Sequence, residues 1–249
     1  MGRYEKIRVG VLYLTNTCGE LLVTELIGEN KAKVVFPDGY TKVVQKINII
    51  KGCVRNPYYP TLCGIGYSGE GKYSSLNKDA YLRWKGMIQR CYDNNRNHNQ
   101  KCYERVAVCE EWHNFQNFAE WFYEKYDFKL MKNWCIDKDI LSLEHKVYSP
   151  ETCCLVPLII NNALVKNQNK NSGKTIGVKA RRGRYYVSFY KKGEKFISEL
   201  YATEKEAYEL FCYEKDKYII ELAEEYKYAL DTKAYTKLKS HSTKIYFES

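Results

Sequence analysis

No stretch of this chain approaches the roughly 18 consecutive apolar residues that a membrane-spanning helix requires, so no membrane partner is expected. The opening residues, MGRYEKIRVGVLYL, lack the apolar core and small-residue cleavage site of a signal peptide. Lys6 stands where a myristoylation signal needs Ser or Thr. A cytoplasmic location is the resulting expectation. The ten cysteines include no C-x-x-C pair and no regular framework, so free thiols are expected rather than disulfides. Zinc is not expected either. Of its candidates Cys91, Cys102, Cys109, His113 and Cys135, only Cys109 and His113 lie close, one helical turn apart. Glycines 64, 66, 69 and 71 miss the spacing of a phosphate-binding loop, and Gly71-Lys72-Tyr73 lacks the aliphatic hydroxyl that would hold magnesium.

What is present is positive charge, concentrated in one place. The formal net charge is +10, and the segment 166–200 alone carries ten Lys/Arg against two Glu. A local patch of this kind points to a polyanion more strongly than diffuse charge does. The 24 tyrosines suit surfaces that bury apolar area and still hydrogen-bond.

The pattern predicts an α+β chain of several modules. Residues 1–55 read as four short strands, with a tight turn at Pro37-Asp38-Gly39, forming a small β-barrel-like module. Such modules bind nucleic acid or protein partners, or serve as scaffolds. Residues 56–78 read as a glycine-rich flexible linker. A helix is expected over Asp79–Cys91, with Tyr81, Trp84, Met87, Ile88 and Cys91 on one face, and a second over Trp112–Tyr126. Together with the stretch to residue 165 these make a central core.

Within that core, Trp134–Asn162 gathers chemistry. Asp137 and Asp139 end a short apolar run, and His145 lies in a polar loop. Lys146–Tyr148 reads as a second strand. Ser149-Pro150-Glu151 has the residue types of a helix start, with Pro157 interrupting the helix and Asn161-Asn162 at its end.

Residues 174–230 read as three strands and a helix. Arg182-Gly183 and Lys192-Gly193 supply the turns, and Thr203-Glu204-Lys205-Glu206 a capping box. Strand alternation sends Ile176, Val178, Tyr185, Val187 and Phe189 toward the helix. Lys179, Arg181, Arg184, Tyr186 and Ser188 are left outside, edged by Arg182, Lys191 and Lys192. Arginine forks pair with phosphates and guanine edges, and a sheet can enter the major groove. Residues 231–249 read as a polar tail without a motif.

The stretch from Trp134, with its Asp137, its Tyr148-Ser149-Pro150-Glu151-Thr152-Cys153 segment and its Asn161, resembles the ββα core of phage His-Asn-His (HNH) homing endonucleases. The helical residues Trp84, Met87, Cys91, Cys109-Glu110-Glu111-Trp112, Phe115, Phe118 and Trp121 extend the likeness over 79–165. Gly177-Val178, Tyr185-Tyr186-Val187 and Tyr201 to Tyr208 resemble the Apetala-type (integrase-like) DNA-binding domain, a module often appended to such cores in phage proteins.

The first resemblance implies a divalent ion, magnesium or manganese, held by Asp137, Asp139 and Asn161. It also implies a histidine beside Asp137 that activates water. Lys138 occupies that position, and a protonated lysine is a poor general base. His145 is the substitute the loop offers, so the catalytic candidates are Asp137, Lys138 and His145. Two expectations follow. One is a metal-dependent DNA-nicking hydrolase. The other is a catalytically inactive, HNH-derived protein that binds double-stranded DNA or acts in phage counter-defence. Either would work in the host cytoplasm.

Overall fold

A computed structural model of the protein describes residues 6–93, 105–127, 129–142, 146–164 and 175–244. The architecture is α+β, with several small sheets in place of one large one. Among the described residues no helix is long and apolar enough to cross a membrane. The chain divides into two compact units, residues 1–104 with 108–122, and residues 105–107 with 123–249.

The first unit opens with an antiparallel meander of strands β1 (Leu12–Leu14), β2 (Glu20–Ile27), β3 (Lys31–Val35) and β4 (Thr41–Gln45), in sequential order. Alternation sends Leu21, Val23, Ala32 and Val34 inward, onto Cys18, Phe36, Ile49 and Val54. Gly39 takes φ 86° in the turn before β4, where Tyr40 N–H also reaches Asp38 Oδ1 at 3.1 Å. A short helix, α1 (Lys46–Ile50), turns Ile49 into the core. Its end is tied back near β1, because Asn16 N–H donates to Gly52 O at 2.8 Å and Asn16 Nδ2 to Lys51 O at 3.0 Å.

Residues 56–77 contain no helix and no regular strand, as their glycines predict, but they are not the loose linker the composition suggests. Gln116 Nε2 donates to the carbonyls of Ser68 and Tyr73, both at 2.9 Å, and its Oε1 accepts Tyr73 N–H at 3.0 Å. A Cβ on Gly69 would lie 2.1 Å from Asn114 Oδ1, and one on Gly71 2.3 Å from Gln116 Oε1. The glycines therefore serve close approach to amide side chains rather than chain freedom. Tyr40 Oη donates to Glu70 Oε1 at 2.6 Å, and burial with this bond pushes the phenol up to about 12.

Helix α2 (Lys78–Tyr92) follows, with Ala80, Trp84, Met87 and Ile88 buried at helical spacing. Trp84 Nε1 donates to Trp112 O at 2.7 Å. Strand β5 (Ala107–Val108) spans the boundary between the units. The predicted second helix begins as a 3-10 turn (Glu110–His113) and continues as α3 (Phe115–Lys125), burying Phe115, Phe118 and Phe122.

In the second unit the predicted strand is β6 (Trp134–Asp137), and Val147–Tyr148 is β7. The predicted helix is displaced. Ser149–Thr152 forms a turn, Cys154–Pro157 is strand β8, and helix α4 covers only Leu158–Leu164. The partner of β6 is β8, not β7, in antiparallel register that sets Asp137 opposite Cys154. Pro157 explains the shift. It disfavours α geometry at Val156 and lacks the N–H a helix interior needs, so the apolar run Cys154–Pro157, buried throughout, pairs as a strand. The residues read as a helix start instead cap the turn. Ser149 Oγ donates to Glu151 Oε2 at 2.7 Å and accepts the N–H groups of Glu151 and Thr152. That bond from Ser149 holds the Glu151 carboxyl below its ordinary value.

The second sheet of this unit has the order β11–β10–β9, with β9 (Val178–Arg181), β10 (Arg184–Lys191) and β11 (Glu194–Ile197). Both hairpins close with two residues at positive φ, Arg182 (52°) with Gly183 (75°) and Lys192 (49°) with Gly193 (86°). This is the geometry of a type I′ turn. Helix α5 (Glu204–Glu225) starts at the predicted capping box, Thr203 with Glu206. It lays Ala207 and Phe211 on Val178 and Val187. The polar tail holds one more helix, α6 (Thr232–Lys239). Asp231 Oδ1 caps it by accepting Lys233 N–H, and Ala234 and Leu238 are buried at i,i+4 spacing.

Candidate nucleic-acid interface

Register fixes which side chains share the outer face of the β9–β11 sheet. Arg181 lies opposite Arg184 and Lys179 opposite Tyr186. Ser188 lies opposite Ile197 and Tyr190 opposite Lys195. The intervening residues Val178, Tyr185, Val187, Phe189 and Phe196 pack on the α5 side. Lys179, Arg181, Arg184 and Lys195 are all exposed. None has an acidic partner among the described residues. Arg182 is exposed at the tip of the first hairpin.

Two of the predicted contacts sit elsewhere. Lys191 Nζ lies 2.6 Å from Glu214 Oε2 on α5, and 4.8 Å from the ring centre of Phe196. Lys192 Nζ lies 2.6 Å from Glu225 Oε2, and Lys192 N–H donates to Tyr218 Oη at 2.8 Å. Both lysines bind the helix. Carrying the alternation of β10 one residue past Tyr190 turns Lys191 inward, so the signal was present. Lys195 is the residue that sequence reading missed. The two-residue turn at Lys192-Gly193 dictates its pairing with Tyr190.

The charge is segregated. Residues 175–200 hold seven Lys/Arg against two Glu, whereas α5 holds eight Asp/Glu against three Lys. One of those lysines is buried. Lys215 is 8% exposed, its Nζ 5.2 Å from the ring centre of Phe189. Burial, then the neighbouring Lys191, lowers its pKa to about 8.

The β6–β8–α4 segment holds the other predicted site residues. Asp137 is 8% exposed, and its Oδ1 accepts Asp139 N–H at 2.8 Å and Ile140 N–H at 2.9 Å. Burial raises its pKa to about 6, against the pull of those two bonds. Lys138 forms an ion pair with Asp139. Asn161 lies on α4 and is half-buried. His145 falls outside the described residues. The thiol of Cys154 is pushed well up, by burial and then by Asp137 across the strand pair.

Asp137 spends an oxygen on the turn, Asp139 is held by a cation, and among the described residues no three His, Cys, Asp or Glu side chains converge as a metal group. Among the described cysteines, Cys18, Cys153 and Cys154 are buried and Cys53 is exposed.

No protein-family model, no curated protein and no solved structure matches the chain.

Proposed function

We propose that this chain binds double-stranded DNA through the outer face of β9–β11, beside a ββα unit whose aspartate is structural. One observation carries the reading. Four cations share one sheet face without an acidic partner among the described residues, and the helix behind that face is acidic. A polyanion neutralises such a face, and the acidic helix is repelled by it, so the unit approaches with its sheet forward. Arg181 and Arg184 supply planar forks for phosphate or guanine. Tyr186 and Tyr190 add apolar area that still hydrogen-bonds. The likeness to the Apetala-type domain points the same way.

The likeness to the HNH core now rests on β6, β8 and α4, two antiparallel strands followed by a helix, with Asp137 ending the first strand and Asn161 in the helix. Against nuclease chemistry stand Lys138 in place of a histidine and the use of Asp137 Oδ1 as a turn acceptor. The reading favoured is an HNH-derived DNA-binding protein without hydrolytic activity.

Two assays test it together. A gel shift on duplex DNA is expected to show salt-sensitive binding that Arg181→Ala, Arg182→Ala and Arg184→Ala together weaken. A plasmid-nicking assay in magnesium or manganese is expected to leave supercoiled DNA intact. Binding unaffected by the three substitutions would refute the interface. Nicking that the stably folded Asp137→Asn variant abolishes would refute a purely structural role for that aspartate.

A further inference from the structure

The face of the N-terminal sheet turned away from its core carries an apolar stripe that reaches all four strands. Leu12, Leu22, Val35 and Thr41 form one continuous cross-strand row. Leu14 and Val43 flank it. Leu12 is 58% exposed, Leu14 72% and Val43 50%, whereas Leu22 and Val35 are half-buried by one another. Alternation requires this, since Leu21, Val23, Ala32 and Val34 point into the core. A contiguous apolar stripe on a charged sheet marks an interaction surface rather than scattered exposure.

The charges beside the stripe choose the partner. Glu25 on β2 lies directly opposite Lys33 on β3. Neither joins an ion pair among the described residues. A two-fold contact must be self-complementary, each patch matching its own rotated copy. A two-fold axis parallel to the strands, between β2 and β3, satisfies that condition here. It lays β2 of one copy over β3 of the other, and Leu22 over Val35. Glu25 of each copy then meets Lys33 of its partner at the same height along the strands. We propose that this face joins two copies of the chain, sheet on sheet, into a symmetric dimer held by the apolar row and two reciprocal Glu25–Lys33 pairs.

Sedimentation equilibrium of the full chain across the micromolar range tests this. The expected result is a concentration-dependent rise from 29.4 kDa to twice that mass. Leu12→Lys with Leu14→Lys is expected to hold the chain at monomer mass. Both side chains are exposed, so circular dichroism should match wild type, and melting temperature should match it at concentrations where wild type is monomeric. Glu25→Lys is expected to weaken association by about tenfold or more through like-charge contact. Adding Lys33→Glu to Glu25→Lys should restore it. Wild type that stays at monomer mass throughout overturns the proposal. So does a dimer that survives the leucine substitutions, or a charge swap that fails to rescue. DNA affinity per chain reads on the other unit, so its loss or retention leaves this outcome separate.

Discussion

Arg181 and Arg184 face each other directly across the β9–β10 hairpin, and neither has an acidic partner among the described residues. Like charges opposed across an antiparallel pair destabilise the sheet. Arg184→Thr keeps a good strand former and removes the repulsion. It is expected to raise the stability of the DNA-free protein by about 0.2–1 kcal/mol while weakening its hold on duplex DNA. Urea melts and fluorescence anisotropy on the same variant check both signs. A variant that loses stability would show that the pair is not repulsive.

Lys191 is expected to behave in the opposite way. Its ammonium lies over the rings of Phe189 and Phe196 and pairs with Glu214. Lys191→Ala should cost roughly 1 kcal/mol through lost packing and the partly shielded ion pair. It should leave DNA affinity within about twofold of wild type, because no phosphate contact is removed. A large loss of affinity without loss of stability would place Lys191 at the DNA.

Gly177 holds the sheet against α5. It takes φ 75°, and an added Cβ would lie 2.2 Å from the Phe211 ring. Gly177→Ala combines a left-handed backbone penalty with overpacking, roughly 2–4 kcal/mol together. Phe211→Leu in the same chain makes room for the Cβ and should recover part of that loss in thermal melts. No recovery would mean that the backbone conformation dominates.

Lys215 gives the C-terminal module a pH dependence. Its folded pKa of about 8 lies below the ordinary lysine value of 10.5. Between those values the unfolded chain binds more protons than the folded one, so stability rises as pH climbs from about 8 toward 10.5. The full effect is on the order of 3 kcal/mol. Lys215→Met should be more stable than wild type at pH 7, and its pH–stability curve should lack that rise. Parallel curves for the two proteins would contradict the burial argument.

Asp137 separates a structural from a catalytic carboxylate. Asp137→Asn keeps an oxygen acceptor for the N–H groups of Asp139 and Ile140 and sheds a buried charge. It is expected to fold as stably as wild type. Asp137→Ala, which strands both donors, should cost about 1–3 kcal/mol. Equal stability of the two variants would remove the turn-capping role.

Much of the fold was legible because local signals were strong. The Thr203–Glu206 box marked the start of α5, and the two Gly-containing dipeptides gave both hairpin turns. Helical spacing of Trp84, Met87 and Ile88 gave α2. The misreadings share a cause, a local signal overruled by a distant partner. Ser149-Pro150-Glu151 has the chemistry of a helix cap, yet pairing of Cys154–Pro157 with β6 turns it into a tight turn. The glycines of residues 64–71 signal freedom, but Asn114 and Gln116, far along the chain, draw the backbone in. At the candidate interface, alternation gave Lys179, Arg181 and Arg184. Alternation carried one residue past Tyr190 turns Lys191 inward, while the α5 carboxylate that holds Lys192 is invisible to it.

The central claim is that the outer sheet face carries the DNA contacts, and a salt titration of duplex binding tests it most directly. The plot of log K against log salt is expected to be linear and negative for wild type. Its slope should become shallower by roughly one for each of Lys179, Arg181, Arg184 and Lys195 replaced by Ala. The paired lysines Lys191 and Lys192, changed to Ala, should leave the slope unchanged. A chain that binds no duplex at low salt, or a slope indifferent to the four outer cations, would contradict the account.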